Sequence, residues 1–319
     1  MTIQDTSTER ADGNHFVLTP LTRAQTTQLV RLCTDAAGDR GLRARYDGAG
    51  GLELIPGPSL SGLPGLDPPI VAGLTNLARI VAPHRQHRWP QLVADHFDRL
   101  RHQLVDGPPS PPADPERELL LRLTPRAALP ADWTADLPDF LPGLVAVPAT
   151  EDDGVITMHL DAADYGMTRT EAQEVGLANL RRLTDEVEYV EHDGARVAVL
   201  SGSTFTASRA LVLDTVLAES LQVPDPEYGV LVALPVRGLL LVHVVTDLSV
   251  LPALATMLGM SLRTHAEHPG PLTPWVHLVT GTSWQSATTQ TPDFRDLRSS
   301  AAFHALVQSL PHSRPERPE

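Results

Sequence analysis

The stretch from Arg196 to Val245 constrains this chain most, because it is its densest apolar segment. An apolar run, Arg196-Val-Ala-Val-Leu200, precedes a helix-forming run around Ala207-Ser-Arg-Ala-Leu-Val-Leu213. Two further runs, Gly229-Val-Leu-Val-Ala-Leu234 and Leu239-Leu-Leu-Val-His-Val-Val245, are joined by Pro235-Val-Arg-Gly238. Continuous apolar runs bounded by Gly and Pro are what strands covered on both faces look like, whereas a half-exposed strand alternates. The pair is therefore expected at the centre of a mixed α/β sheet. Leu239 to Val245 should be an inner strand, since it carries neither formal charge nor proline against edge-to-edge aggregation.

Upstream, Leu29, Val30, Leu32 and Cys33 recur at helical spacing between Thr22 and Gly38, so Cys33 reads as a core residue. Leu42 to Tyr46 and Leu52 to Ile55 flank the glycine-rich Asp47-Gly-Ala-Gly-Gly51, the pattern of a hairpin. Helical periodicity is read from Ile70 to Val81 and from Trp89 to Leu104. Five prolines between Gly107 and Glu116 predict an extended spacer. Beyond it come a strand at Leu119 to Leu123, a hairpin of Leu144 to Val147 with Val155 to Leu160, and a helix capped by Thr168-Arg-Thr-Glu171. Strands at Glu188 to Val190 and Arg196 to Leu200, joined through His192-Asp-Gly194, lead into the central stretch. After it, Leu251, Leu254, Leu258 and Leu262 mark a helix and Trp275 to Val279 a last strand.

The expected fold class is α+β (mixed α/β), in two α+β units, the second around an antiparallel-rich mixed sheet with helices packed on it. The expected divisions are a disordered lead over 1–16, an N-terminal α+β unit over 17–106, a Pro-rich linker over 107–117, a C-terminal α+β domain over 118–290, and a short helix with a disordered tail over 291–319. Gly73-Leu-Thr-Asn-Leu-Ala-Arg-Ile80 and Gly176-Leu-Ala-Asn-Leu-Arg-Arg-Leu183 read alike. They suggest an internal repeat in which Asn76 and Asn179 make the same local hydrogen bond.

Charge and cysteine content exclude several functions. Lys plus Arg number 25 against 39 Asp plus Glu, a formal charge of −14, which repels a phosphate backbone. Nucleic acid is therefore not an expected partner, whereas a protein with a basic face is. Cys33 is the single cysteine, so neither an intrachain disulfide nor a Cys-based zinc site is expected, and a reducing, cytoplasmic setting fits. The polar N-terminus has no apolar core of a signal peptide, and no stretch reaches the ~18 apolar residues of a membrane span.

Asn179 inside the capped helix, Ala207-Ser208-Arg209 with Leu211 after Phe205, Val232-Ala233 followed by Pro235, and Pro269 with Leu272 form a pattern between about Leu137 and Gln285. In these residues and in its order of elements the chain resembles the YtpQ-like family of uncharacterised bacterial cytosolic proteins. It departs from that pattern at Thr204, where Gly is usual, and at Thr206, where an acidic residue is usual. The resemblance implies a mixed α/β fold and a cytosolic protein, and carries over no catalytic residue.

No phosphate-binding loop of either nucleotide-binding type occurs. Gly202-Ser203-Thr204, between strand and helix, is the nearest approach. Ser203, Ser208, Arg209 and the turn residue Arg237, read as exposed, are the candidate ligand-binding set for a small anion. Ser and Thr in that position also suit helix caps. His84 with His87 and His265 with His268 have metal-compatible spacing without a zinc-protease carboxylate, and no metal or cofactor is expected. Asp152-Asp153 and Asp293 to Asp296 read as solvated turns, and His243 as a satisfied sheet histidine. No catalytic constellation emerges. The expected function is a non-enzymatic cytosolic interaction or regulatory protein, immunity-like or chaperone-like, that docks a partner through an acidic surface and could itself form a homodimer. The alternative is an enzyme or small-anion-binding protein with a site near the 202–209 turn.

Overall fold

A computed structural model describes residues 18–48, 50–57, 70–105, 111–152, 155–159, 161–290 and 297–311. The expected lead, the spacer as far as Ser110, the Asp293 to Asp296 turn and the tail from His312 lie outside these. The fold is mixed α+β and divides into two compact units, residues 1–110 with 266–269 and residues 111–265 with 270–319.

The first unit holds α1 (Arg23–Asp39), β1 (Leu42–Tyr46), β2 (Gly51–Pro56), β3 (Ile70–Gly73), α2 (Thr75–Val81) and α3 (Trp89–Val105). Helix α1 starts where it does because the Thr22 hydroxyl accepts from the Gln25 N–H while the Gln25 side chain accepts from the Thr22 N–H. Its apolar face, with Leu29 and Cys33, packs with Leu52, Leu54, Trp89 and Phe97. Burial pushes the Cys33 thiol up to about 12, which makes it a packing residue. The helix expected from Ile70 begins only at Thr75. Ile70 to Gly73 instead pairs with β2 as a third antiparallel strand, in keeping with its β-branched Ile-Val start.

In the second unit, α4 (Pro115–Glu118), β4 (Leu120–Pro125), α5 (Ala131–Thr134), β5 (Asp139–Leu141), β6 (Leu144–Asp152) and β7 (Val155–Met158) precede α6 (Arg169–Arg181), β8 (Glu186–His192) and β9 (Ala195–Ser201). Helix α4 corrects the expected extended spacer: Pro115 occupies the first helical turn, where its missing N–H has no partner to lose. The expected helix after β9 is irregular, with 3-10 turns over Thr206–Val212, α7 (Leu213–Thr215) and a π turn over Val216–Ser220. Then follow β10 (Val230–Val236), β11 (Leu239–Val244), α8 (Val250–Glu267), β12 (Val276–Thr280), β13 (Ser283–Ser286), β14 (Thr288–Gln290), β15 (Leu297–Ser299) and α9 (Ala301–Ser309).

The main sheet has the order β13-β12-β10-β11-β9-β8, and each of its ladders is antiparallel, so the expected parallel admixture is corrected. Strands β10 and β11 are covered on both faces, as their unbroken apolar runs require. On one face Leu200, Val232 and Leu240 meet Ala210, Val216 and Leu217 of the irregular helix and Leu123 and Leu144 of the smaller sheet β4-β6-β5, with β7 on β6. On the other, Val197, Leu231 and Leu241 meet Val250, Ala253 and Met257 of α8 and Phe303 of α9. Pro235 sits where the β10–β11 register shifts, the place a ladder tolerates a missing N–H.

Helix α8 turns a different face inward from the one its leucines suggest. Val250, Ala253, Leu254, Met257 and Ser261 are buried, while Leu251 and Leu262 are exposed. The two repeat-like segments also differ in setting. Asn76 is exposed, whereas Asn179 is buried and donates to the Glu116 and Leu119 carbonyls at 2.9 and 2.8 Å. Those bonds close the end of α4 over a long sequence distance, in addition to a local bond in which Asn179 Oδ1 accepts from Arg182 Nη1 at 3.0 Å.

Candidate functional site

The 202–209 turn is held by its own polar groups. Ser203 Oγ accepts from the Phe205 N–H at 3.0 Å, and the Ser203 N–H donates to Thr206 Oγ1 at 3.1 Å. Ser203 therefore folds the turn, and the 3-10 segment that follows has no side-chain cap. Ser208 is buried, and its Oγ accepts from the Leu123 N–H at 2.9 Å. Strand β4 lies at the edge of its sheet, so an outward amide such as that of Leu123 needs an acceptor once buried, and Ser208 supplies it.

Arg209 is the largest departure from expectation. Its guanidinium is ion-paired with Asp185, both side chains being 1% exposed, and it also reaches Ser220 Oγ. Burial pushes the Asp185 carboxyl up and the Arg209 charge pulls it back. An arginine whose charge is matched inside the protein has none left for an external anion. Removing one partner of such a pair strands the other and costs ~3–5 kcal/mol, so the role of Arg209 is to hold α6, β8 and the irregular helix together.

Arg237, expected exposed, is half-buried and lies across Gly270, where an added Cβ would fall 1.9 Å from its Nε. Burial pushes its guanidinium below the ordinary arginine value. Its carbonyl accepts from the Ala207 N–H at 3.0 Å, which brings the β10–β11 turn against the 202–209 turn. Ser203, Ser208 and Arg237 thus share one neighbourhood, and Arg209 is committed to Asp185.

Arg122 joins them, a residue not singled out from the sequence. It stands in the apolar strand β4, 4% exposed, with its guanidinium carbon 5.5 Å from the centre of the Phe205 ring. Burial pushes it down to about 10, helped by the charge of Arg237 and opposed by Glu151. Its Nη1 is buried and has no hydrogen-bond partner among the described residues. A lone arginine inside Leu119-Leu-Leu-Arg-Leu123 was the signal available in the sequence.

The second feature is strand β8, which ends the six-stranded sheet and, among the described residues, pairs with β9 alone. Its connection to β9 is a two-residue turn with Asp193 at φ 47° and Gly194 at φ 80°, the left-handed pair that a tight hairpin needs. Such a turn is flanked by a hydrogen-bonded pair, here His192 with Ala195, and bonded pairs alternate from there. Val190, Glu188 and Glu186 therefore bond to β9, while Val187, Tyr189 and Glu191 turn their N–H and C=O groups to the free edge. None of these six groups bonds to a described residue. Glu186, Glu188 and Glu191 are exposed, and Tyr189 is 43% exposed. Arg196 covers one face of the Tyr189 ring, its guanidinium carbon 3.7 Å from the ring centre.

Behind this edge the β9–β11 ladder stops at Val242 and Ala198. Past it, His243 Nδ1 lies 2.9 Å from the Arg196 carbonyl, which can only accept, so Nδ1 carries the proton. Burial pushes the ring below the ordinary histidine value, and Nε2 is buried without a hydrogen-bond partner among the described residues, so His243 is only half satisfied there. A cavity of about 420 Å³ opens here, lined among others by Tyr189, Leu221, Val242 and His243.

Among the described residues no three His, Cys, Asp or Glu are grouped to hold a metal ion, and no helix is long and apolar enough to cross a membrane. Compared with protein-family models, with curated proteins and with solved structures, the chain gives no match.

Proposed function

We propose that this protein is a non-enzymatic docking or regulatory protein that binds a basic partner through the acidic edge of its six-stranded sheet. The observation that carries this reading is β8: an exposed edge with Glu186, Glu188 and Glu191 on a chain of net charge −14. The partner is a protein, in an immunity-like or chaperone-like role, and the cytoplasm suits a chain with one cysteine. A second copy is disfavoured at this edge by the long-range repulsion of two sets of three carboxylates, although the register centred on Tyr189 would set Glu186 against His192 and Glu188 against Val190.

A fluorescent lysine oligomer tests the reading by anisotropy. Reversing Glu186, Glu188 and Glu191 to Lys is expected to weaken binding by about tenfold at low salt, where steering charges act most strongly. Reversing Asp35 and Asp39 of α1 is expected to change it little. Equal losses from the two sets would mean a diffuse acidic field with no docking edge.

Arg122 and Arg237 favour a second reading, a small-anion site beside the 202–209 turn, since Nη1 of Arg122 is buried without a hydrogen-bond partner among the described residues. Inorganic phosphate is then expected to raise the melting temperature of the wild type and not that of Arg122→Met. An equal rise in both would exclude it.

A further inference from the structure

We infer that the partner binds β8 by adding a strand to it, as an extended basic segment running antiparallel to Glu186–His192. This rests on the docking reading above and adds its mode. An exposed edge strand is normally a hazard, because its free N–H and C=O groups template pairing with any extended chain, and proteins blunt it with charge, proline, bulges or brevity. The opposite edge of this sheet, β13, is blunted by brevity, with four residues. β8 is seven residues long and has neither proline nor a register shift. Its protection is the negative charge of Glu186, Glu188 and Glu191, the last also 3.8 Å from Arg196 of β9, which repels acidic strands while leaving basic strands admissible.

The ladder fixes which groups of the partner must do what. Val187, Tyr189 and Glu191 offer three N–H and three C=O groups outward, so the residues opposite them exchange both backbone hydrogen bonds. The residues opposite Glu186, Glu188 and Glu191 meet carboxylates and should be Lys or Arg. The residue opposite Tyr189 meets an exposed aromatic ring already backed by Arg196 and should be aromatic. A heptapeptide Thr-Lys-Val-Phe-Lys-Val-Lys satisfies this antiparallel register, with its Phe opposite Tyr189 and its three Lys opposite Glu191, Glu188 and Glu186.

Backbone methylation separates strand addition from charge attraction, because it removes an N–H and leaves every charge in place. Methylating the backbone nitrogen of the Phe, which would bond to Tyr189, is expected to weaken binding by about a hundredfold, as loss of a hydrogen bond with a clash at its position implies. Methylating the adjacent Lys nitrogen, which faces away, is expected to change it by less than about threefold. The peptide is also expected to protect the amides of Val187, Tyr189 and Glu191 from hydrogen exchange, a readout in the wild-type protein that no variant's folding can confuse. If both methylated peptides bind as the parent does and charge reversal on β8 still weakens all three, strand addition is wrong and the acidic docking reading stands. If β8 charge reversal leaves binding of the parent peptide unchanged, both readings fail.

Discussion

At the scale of single residues, His277 gives this protein a built-in sensitivity to acid. It is buried in β12, its Nε2 has no hydrogen-bond partner among the described residues, and burial pushes its pKa from 6.5 to about 4. Because the folded value is the lower one, the unfolded chain takes up a proton first as pH falls. The stability present above pH 6.5 is therefore lost progressively down to about pH 4, by roughly 3 kcal/mol for this group alone. Melts across that window are expected to show a shallower decline for His277→Phe than for the wild type. Parallel declines would mean that the ring is charged when folded. Asn179 has a different role: it satisfies the Glu116 and Leu119 carbonyls, one bond being fully buried. Asn179→Ala is expected to cost about 2 kcal/mol and to lower the melting temperature by roughly 5 °C.

At the scale of elements, helix α6 packs on β4 through Gly176, where an added Cβ would come within 2.8 Å of Leu121 Cγ and 3.1 Å of the Leu121 N. Gly176→Ala gains up to ~1 kcal/mol of helix propensity and loses ~1–3 kcal/mol to overpacking, so net destabilisation is expected. Gly259 of α8 has nothing within 4 Å, so Gly259→Ala should stabilise, and a pair of thermal melts reads both signs. Elements were legible wherever a local rule fixed them. The capping box at Thr168, the Asp193-Gly194 turn and the apolar runs of β10 and β11 all carry their cause within a few residues. What was not legible depends on distant partners: β3 is a strand because β2 is beside it, and the buried face of α8 is set by the sheet against which it lies. The candidate site divides in the same way. Ser203 and Ser208 sit at the turn the sequence marked, but no spacing announces that Arg209 meets Asp185 or that Arg122 lies beside Phe205 and Arg237.

At the scale of the molecule, the central strands of the second unit's main sheet are covered on both faces, and its β8 edge is open. Closure is what Leu241 tests: it is fully buried on the inner strand β11, facing α8. Leu241→Asp would place an unpaired carboxylate there, at a cost of several kcal/mol out of the ~5–15 kcal/mol that holds a domain together. Loss of the cooperative thermal transition of this unit is expected, and a melt within a degree or two of the wild type would contradict an inner strand. The open edge is the docking strand we propose, and amide hydrogen exchange of the free protein measures its openness directly. Val187, Tyr189 and Glu191 are expected to exchange about a hundredfold faster than Glu188 and Val190, whose amides bond to β9. Equal protection of all five would mean that the edge of β8 is already covered, and would contradict its role as the docking strand.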